Sequence, residues 1–445
     1  MDTPSGRLAV DLASPHDLSL VDDRPIRMLR AIVIGTCGLI LFFDGFDAQA
    51  IGYVAPGLAA DLDIPRTMLG SAIASGLFGM LFGALLFGSL ADRFGRKPVL
   101  IASTVVFGLG SFVTAGVASI EALIAARIFT GLGMGGALPN AVALTAEYLP
   151  AHSRARAVTM VTCGLALGAA VGGWVAAMLI SSYGWRGVFV VGGVPPMLIA
   201  IGAMVWLPES IEFLRVRQRV VSFRDPQSSG FPSGESKAGS RFAVVQLFTD
   251  SRAGGTLLIW VMYFMSLLDL YFLTNWLPTI MSDAGIKIET AIITSSLFQF
   301  GGMAGAIAMG VALSHRRSFH VLAVCYLWAA VWVFVAGAAG PTLPLLATAV
   351  MAAGAGIIGG QSASHALCAE FYRTSMRSTG VGWALGIGRI GSIVGPVAGG
   401  YLLGTGGGAQ QVIWMASIPA LVATIAAAVL GFRTDLTARR AVESA

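Results

Sequence analysis

Apolar windows of roughly twenty residues recur twelve times along this chain, at about 29–52, 67–90, 98–117, 121–142, 155–180, 187–207, 255–280, 290–313, 319–338, 342–366, 378–403 and 409–431. Each is long enough to cross a hydrocarbon core of about 30 Å as an α-helix. A helix also lets such a segment satisfy its own backbone N–H and C=O groups where no water can. With 56% hydrophobic and only 11% charged residues, a soluble globular protein is excluded. An even number of crossings returns both termini to one side, and the basic residues identify that side. Of the 28 Lys and Arg, 23 fall in the tails and even-numbered loops, while only Arg66, Arg186 and Lys287 face the other way. That bias makes the tail side cytoplasmic. The formal net charge of +5 is therefore a topology signal and no mark of nucleic-acid binding.

Two aspartates, Asp44 and Asp47, sit inside the first window (AIVIGTCGLILFFDGFDAQAIGYVAP, 31–56). An ionisable side chain near mid-bilayer costs about 2.5–3.5 kcal/mol, so a segment that keeps two of them is handling protons, ions or a charged solute. At i,i+3 both carboxylates point the same way. Two like charges so close in a dry place do not both stay ionised cheaply, which suits the pair to holding and releasing a proton. Arg127 and Arg389 also fall inside windows, and Gln361 and His365 are spaced i,i+4, sharing one face of the tenth.

The long hydrophilic stretch 208–254 separates six windows from six. Its middle, DPQSSGFPSGESKAGS, has the composition of a linker, and its flanks read as solvated charge runs or short surface helices. The halves repeat at an offset of 222 or 223: Asp47 falls on Asp269, Pro56 on Pro278, Asp61 on Asp283, and Gly131, Gly133, Gly136, Glu147 and Arg154 fall on Gly354, Gly356, Gly359, Glu370 and Arg377. Two parallel repeats with a solute site between them at mid-membrane form a transporter architecture. Three G-x-G-x-x-G clusters, at Gly131–Gly136, Gly354–Gly359 and Gly386–Gly391, lie inside windows and are read as close-packing positions, because a dinucleotide site needs a strand before the glycines. No phosphate-binding loop, metal-ligand spacing or nucleophile elbow is present, which argues against an enzyme; no cofactor or metal is expected. Cys37, Cys163, Cys325 and Cys368 lack paired spacing and read as small hydrophobes. The first 28 residues hold five aspartates and no apolar signal core, so the first window is expected to direct insertion uncleaved.

The loop GSLADRFGRK (88–97) resembles the signature of the major facilitator superfamily. More narrowly, DGFD (44–47), RIFTGLGMGGALPNAVALTAEY (127–148), LPES (207–210) and TGVGWALGIGRIGSIVGP (379–396) resemble its aromatic acid:proton symporter branch. The resemblance implies an all-α integral membrane fold with twelve transmembrane helices in two six-helix halves. It also implies import of benzoate or a hydroxylated benzoate together with a proton across the bacterial inner membrane. Within the branch, transport is associated with positions matching Asp44, Asp47, Asp92 and Arg127. The second-half counterpart of the loop reads GVALSHRRS (310–318), with His315 where branch members often carry an acid, so a gating role does not transfer to it.

Read this way, Asp44 and Asp47 are the proton-coupling pair, and Gly88, Asp92, Arg93, Gly95, Arg96 and Lys97 form the gating loop, where small glycines let helices approach and Asp92 caps or pairs. Substrate-binding candidates are Arg127, Gln361, His365, Asp269, Trp276 and Arg389. Several keep a second reading: Arg127 as an ion-pair partner of Asp44 or Asp47, Arg389 as a snorkelling cation or partner of Asp269, His365 as a structural histidine, and Trp276, beside Asn275, as an interfacial anchor. Glu147, Arg154, Glu370 and Arg377 are expected to form a structural charge network. The expected organisation is a cytoplasmic N-tail (1–28), a first half (29–207), a cytoplasmic linker (208–254), a second half (255–431) and a cytoplasmic C-tail (432–445), working as a monomer. A transporter of another organic anion or drug, and a sensor that binds aromatic acids without moving them, are the alternatives.

Overall fold

The computed structural model describes residues 23–214, 247–248, 253–315, 318–340, 342–372, 376–406 and 408–443. All regular structure among the described residues is helical, in a short stretch at 211–214 and eleven long elements: α1 (Asp23–Asp61), α2 (Arg66–Phe94), α3 (Arg96–Ala115), α4 (Ile120–Glu147), α5 (Ala151–Trp206), α6 (Ala253–Asp283), α7 (Ile288–His315), α8 (Phe319–Ala338), α9 (Leu343–Phe371), α10 (Arg377–Gly404) and α11 (Ala409–Glu443). Most of the expected N-tail and linker lies outside the described residues, as does the side chain of His315. The windows locate the helices but understate them: α1 runs to Asp61 and α11 to Glu443, well past the apolar stretches. Hydropathy reports where a helix is dry, whereas its hydrogen-bond ladder continues into polar surroundings.

Eleven helices carry twelve crossings because α5, of 56 residues, holds the fifth and sixth windows and breaks at Gly184, where φ is 64° and ψ −172°. The break turns the chain back. A Cβ placed on Gly172 or on Gly192 would meet Phe46 at 3.1 and 3.4 Å respectively, yet on a straight helix these two positions would be about 30 Å apart. A residue with a side chain is strained at that φ, which glycine adopts freely.

All three glycine clusters contain close-packing positions, as expected. A Cβ on Gly131 would come within 2.0 Å of the Gly76 carbonyl oxygen, and one on its repeat mate Gly354 within 2.0 Å of the Phe298 carbonyl oxygen, so α4 lies tight on α2 and α9 on α7. In the third cluster a Cβ on Gly391 would come within 2.2 Å of the Phe264 carbonyl oxygen, so α10 lies tight on α6, while Gly386 faces open space. Many large apolar side chains, among them Leu85, Met178, Val205 and Ile425, are exposed, as a lipid-facing surface requires.

The buried core divides unevenly along the molecule. At the end formed by the 61–66, 283–288 and 404–409 connections, one core joins both halves: Phe46, Tyr53 and Ile73 pack in the same cluster as Phe272, Trp276 and Phe298. At the other end, which carries Arg93–Lys97, the first half keeps its own core around Leu41, Phe107 and Leu144, and the second half its own around Tyr263, Tyr326 and Leu367. The halves therefore touch at one end and part at the other. The contact runs through α2 with α10, α5 with α7 and α1 with α6.

Across the closed end Arg66 of α2 grips Asp283 of α6 with both guanidinium nitrogens, the Nη2–Oδ1 distance being 2.6 Å. The first-half equivalent of Asp283, Asp61, pairs instead within its own half, with Arg186 and the Trp185 indole. Arg66–Asp283 is thus a latch between halves. In a cysteine-free background carrying Thr279→Cys, a buried position at this end, Arg66→Asp should raise labelling by an impermeant maleimide several-fold, and adding Asp283→Arg should reverse it.

Candidate functional site

The first-span carboxylates are buried and differently placed. Asp47 Oδ2 accepts a hydrogen bond from Arg127 Nη1 at 3.0 Å, with both side chains almost wholly enclosed. Arg127 is carried on α4 and lies 5.8 Å from the Phe189 ring centroid. The contact is single and not forked: Asp47 Oδ1 and Arg127 Nε have no partner. Of the two readings open for Arg127, the ion pair is present in this conformation, and its partner is Asp47. Asp44 is buried with neither carboxylate oxygen bonded to any described residue. Arg127 also lines a small central cavity to which both halves contribute, with Ile51, Met80 and Met134 on one side and Tyr271 and Asn275 on the other.

Facing this pair, the second half presents a polar wall. Arg389 of α10 is half-buried, and its guanidinium makes no hydrogen bond or ion pair with any described residue. Its charge is close enough to act on both Asp44 and His365, which places it between the halves. It does not pair with Asp269. On α9, Gln361 Oε1 accepts from Ser266 Oγ at 2.7 Å, and His365 Nδ1 lies 3.0 Å from the Tyr263 hydroxyl. Tyr326 OH, at 3.0 Å from Ser266 and 2.9 Å from Ser364, completes the network. With the phenol of Tyr263 donating, the free groups that remain, Gln361 Nε2 and His365 Nε2, are both donors. His365 is exposed, which fits a cleft-facing side chain better than an enclosed structural one.

Two candidates lie elsewhere. Trp276 is fully buried, donating its indole N–H to the Pro396 carbonyl at 2.9 Å in the seam between α6 and α10, so it is neither at an interface nor open to a ligand in this conformation. Asp269 is buried with both oxygens unbonded.

At the parted end the loop behaves differently from a packed turn. Gly95 has φ 102°, and a Cβ there would collide with Glu209 at 2.6 Å. Glu209 accepts from the Lys97 backbone N–H at 3.0 Å and Lys97 Nζ reaches the Met204 carbonyl at 3.0 Å, tying the junction of α2 and α3 at Gly95 to the end of α5. Gly88 has open space around it and Asp92 and Arg93 are exposed, because α2 has no neighbour from the other half here. The charge network at this end is built differently from expectation: Glu147 pairs with Arg96 Nε at 3.0 Å and with the Ser210 hydroxyl, and no ion pair joins it to Arg154, which is exposed. Glu370 and Arg377 stand exposed at the corresponding end of α9 and start of α10.

Sequence reasoning missed Tyr263, Ser266, Tyr326 and Ser364. A signal existed: Tyr263, Ser266 and Asp269 are spaced i,i+3,i+6, a polar stripe on an otherwise apolar helix. Also missed was Gln49, which donates to the Thr274 carbonyl at 3.2 Å across the α1–α6 seam.

A family model described as Major Facilitator Superfamily matches residues 37–258 and again 259–444. The chain is 41% identical to a 4-hydroxybenzoate transporter, PcaK, of Pseudomonas putida, over 93% of this chain and 95% of that one. It is 37% identical to a gallate transporter of Pseudomonas putida, over 91% and 93%. Among solved structures, a bacterial homolog of the human lysosomal transporter Spinster, in an inward-facing and occupied conformation, superposes with a TM-score of 0.71 at 16% identity, covering 90% of this chain and 96% of that one.

Proposed function

The chain belongs to the Major Facilitator Superfamily, and on that premise we propose that it imports a hydroxylated benzoate together with a proton across the bacterial cytoplasmic membrane. The substrate class rests on the relatives, which are transporters of aromatic acids by name. Proton coupling rests on one observation: Asp44 is buried, unpaired and within reach of the Arg389 charge.

In this reading Arg389 receives the substrate carboxylate, a role for which a free planar guanidinium is suited. The ring hydroxyl is met by the Gln361 amide and His365 Nε2, both donors. Arg127 holds Asp47, and Asp44 binds the transported proton. Once Asp44 is neutral and Arg389 is matched by the carboxylate, the site carries less uncompensated charge, and the halves rock past one another more cheaply than when empty. The basic loops lie at the parted end, so the conformation described here is open to the cytoplasm, with the Arg66–Asp283 latch closed outside. The two helix sets move as bodies joined by linker 208–254, both tails stay inside, and a monomer suffices.

Uptake of labelled 4-hydroxybenzoate into proteoliposomes is expected to follow an inward proton gradient and to collapse with a protonophore; dependence on sodium, or indifference to the gradient, would overturn the reading. Neutral phenol should not compete. Arg389→Lys keeps the charge but loses the fork, so apparent affinity should fall about tenfold or more, equivalent to about 1.4 kcal/mol.

A further inference from the structure

Asp269 is a buried carboxylate left without the cation that its repeat mate possesses. By the internal repeat Asp47 corresponds to Asp269, and Arg127, at the offset that maps Gly131 onto Gly354, corresponds to Val350. Asp47 is met by Arg127 at 3.0 Å. Val350 is a buried core residue and has nothing to offer a carboxylate. Both oxygens of Asp269 are enclosed and unbonded.

Among the described residues the surroundings supply no other counter-ion. Helix α6 packs against α10, α11, α1, α7 and α9. Within the membrane the charged or titratable groups on these elements are Arg389 and Tyr401 on α10, His365 and Cys368 on α9, and Cys37, Asp44, Asp47 and Tyr53 on α1, with Tyr263 and Tyr271 on α6 itself; α7 and α11 carry theirs only near their ends. No ion pair or hydrogen bond joins any of them to Asp269. Tyr326 of α8 is the group on which its charge acts, and that phenol is itself bonded to Ser266 and Ser364. An unpaired anion in such a place is too costly to persist, and a ligand larger than a proton has no access to its oxygens.

We infer that Asp269 is a second proton-binding site, loaded from outside, still protonated in the conformation described here and emptied to the cytoplasm before the halves rock back, so that two protons accompany each substrate anion. The inference rests on the proton-coupled import proposed above. The balance is explicit: Asp44 and Asp269 each take up one proton outside and each release one inside, while one monoanion crosses, so one net positive charge moves inward per turn. Coupling through Asp44 alone would be electroneutral.

The test is the proton-to-substrate ratio of the wild-type protein in proteoliposomes. It is read from the pH gradient and potassium–valinomycin potential at which net 4-hydroxybenzoate flux is zero, and repeated with Asp269→Asn. The expected ratio is two for wild type, with an inside-negative potential raising the initial rate several-fold, and one for Asp269→Asn, with the potential dependence gone. A wild-type ratio of one, or a ratio of two that survives in Asp269→Asn, overturns the second site. If Asp269→Asn does not reach the membrane, Asp269→Glu takes its place: it keeps the carboxyl and must keep the ratio of two, and a ratio of one in that variant overturns the inference. Wild-type uptake with no proton dependence at all would instead remove the import reading on which this rests.

Discussion

Arg127→Gln is expected to lose most of its folded protein, because it leaves the enclosed Asp47 carboxylate with no counter-charge. Asp47 has one hydrogen-bond partner among the described residues, and that partner is Arg127. Breaking a buried ion pair from one side costs about 3–5 kcal/mol, a large share of the stability of a typical domain. Removing the stranded charge should restore it, so Arg127→Gln with Asp47→Asn should recover the monodisperse yield and thermal midpoint in detergent. Arg127→Gln with Asp44→Asn should not, since Asp44 is not the partner. Equal rescue by either aspartate would contradict the pairing.

Asp44→Asn is expected to reach the membrane at wild-type levels and to accumulate far less substrate than the wild type, with only the Asp269 proton left to drive uptake. Its carboxylate has no bond to lose, and asparagine keeps its shape while carrying no proton. Exchange of internal for external substrate should continue, because asparagine imitates the protonated state that permits rocking. Concentrative uptake by this variant at the wild-type level would remove Asp44 from the coupling step. Asp47→Asn should also impair transport, but with a measurable loss of stability from the stranded Arg127 cation.

The helical fold was legible because twelve dry windows and a displaced basic charge leave few alternatives, and because Asp47 and Asp269, or Gly131 and Gly354, recur at one offset. The turn at Gly184 was legible as a gap between two windows, though not as a break inside one helix. Pairing was less accessible. Asp44 and Asp47 share a face of α1, and spacing along one helix cannot say which of them lies opposite Arg127; the placement of α4 decides it. For the same reason Glu147 finds Arg96 and Ser210 through the docking of the 207–210 segment, a contact distant in sequence. The burial of Trp276 depends on Pro396 and Gly399 of α10 leaving room for an indole, which no local pattern on α6 announces. Asp92 and Gly88 look idle because they belong to the end at which the halves are apart.

Coupling is tested most directly by recording proton movement driven by substrate alone. Proteoliposomes holding the wild-type protein, with equal pH on both sides and above neutral so that the acid is ionised, are given external 4-hydroxybenzoate while a trapped dye reports internal pH. Protein-free vesicles set the background from passive entry of the neutral acid. Internal acidification beyond that background, and less of it in Asp44→Asn, is the result the account predicts. Labelled substrate entering through the wild-type protein with no change of internal pH would contradict it.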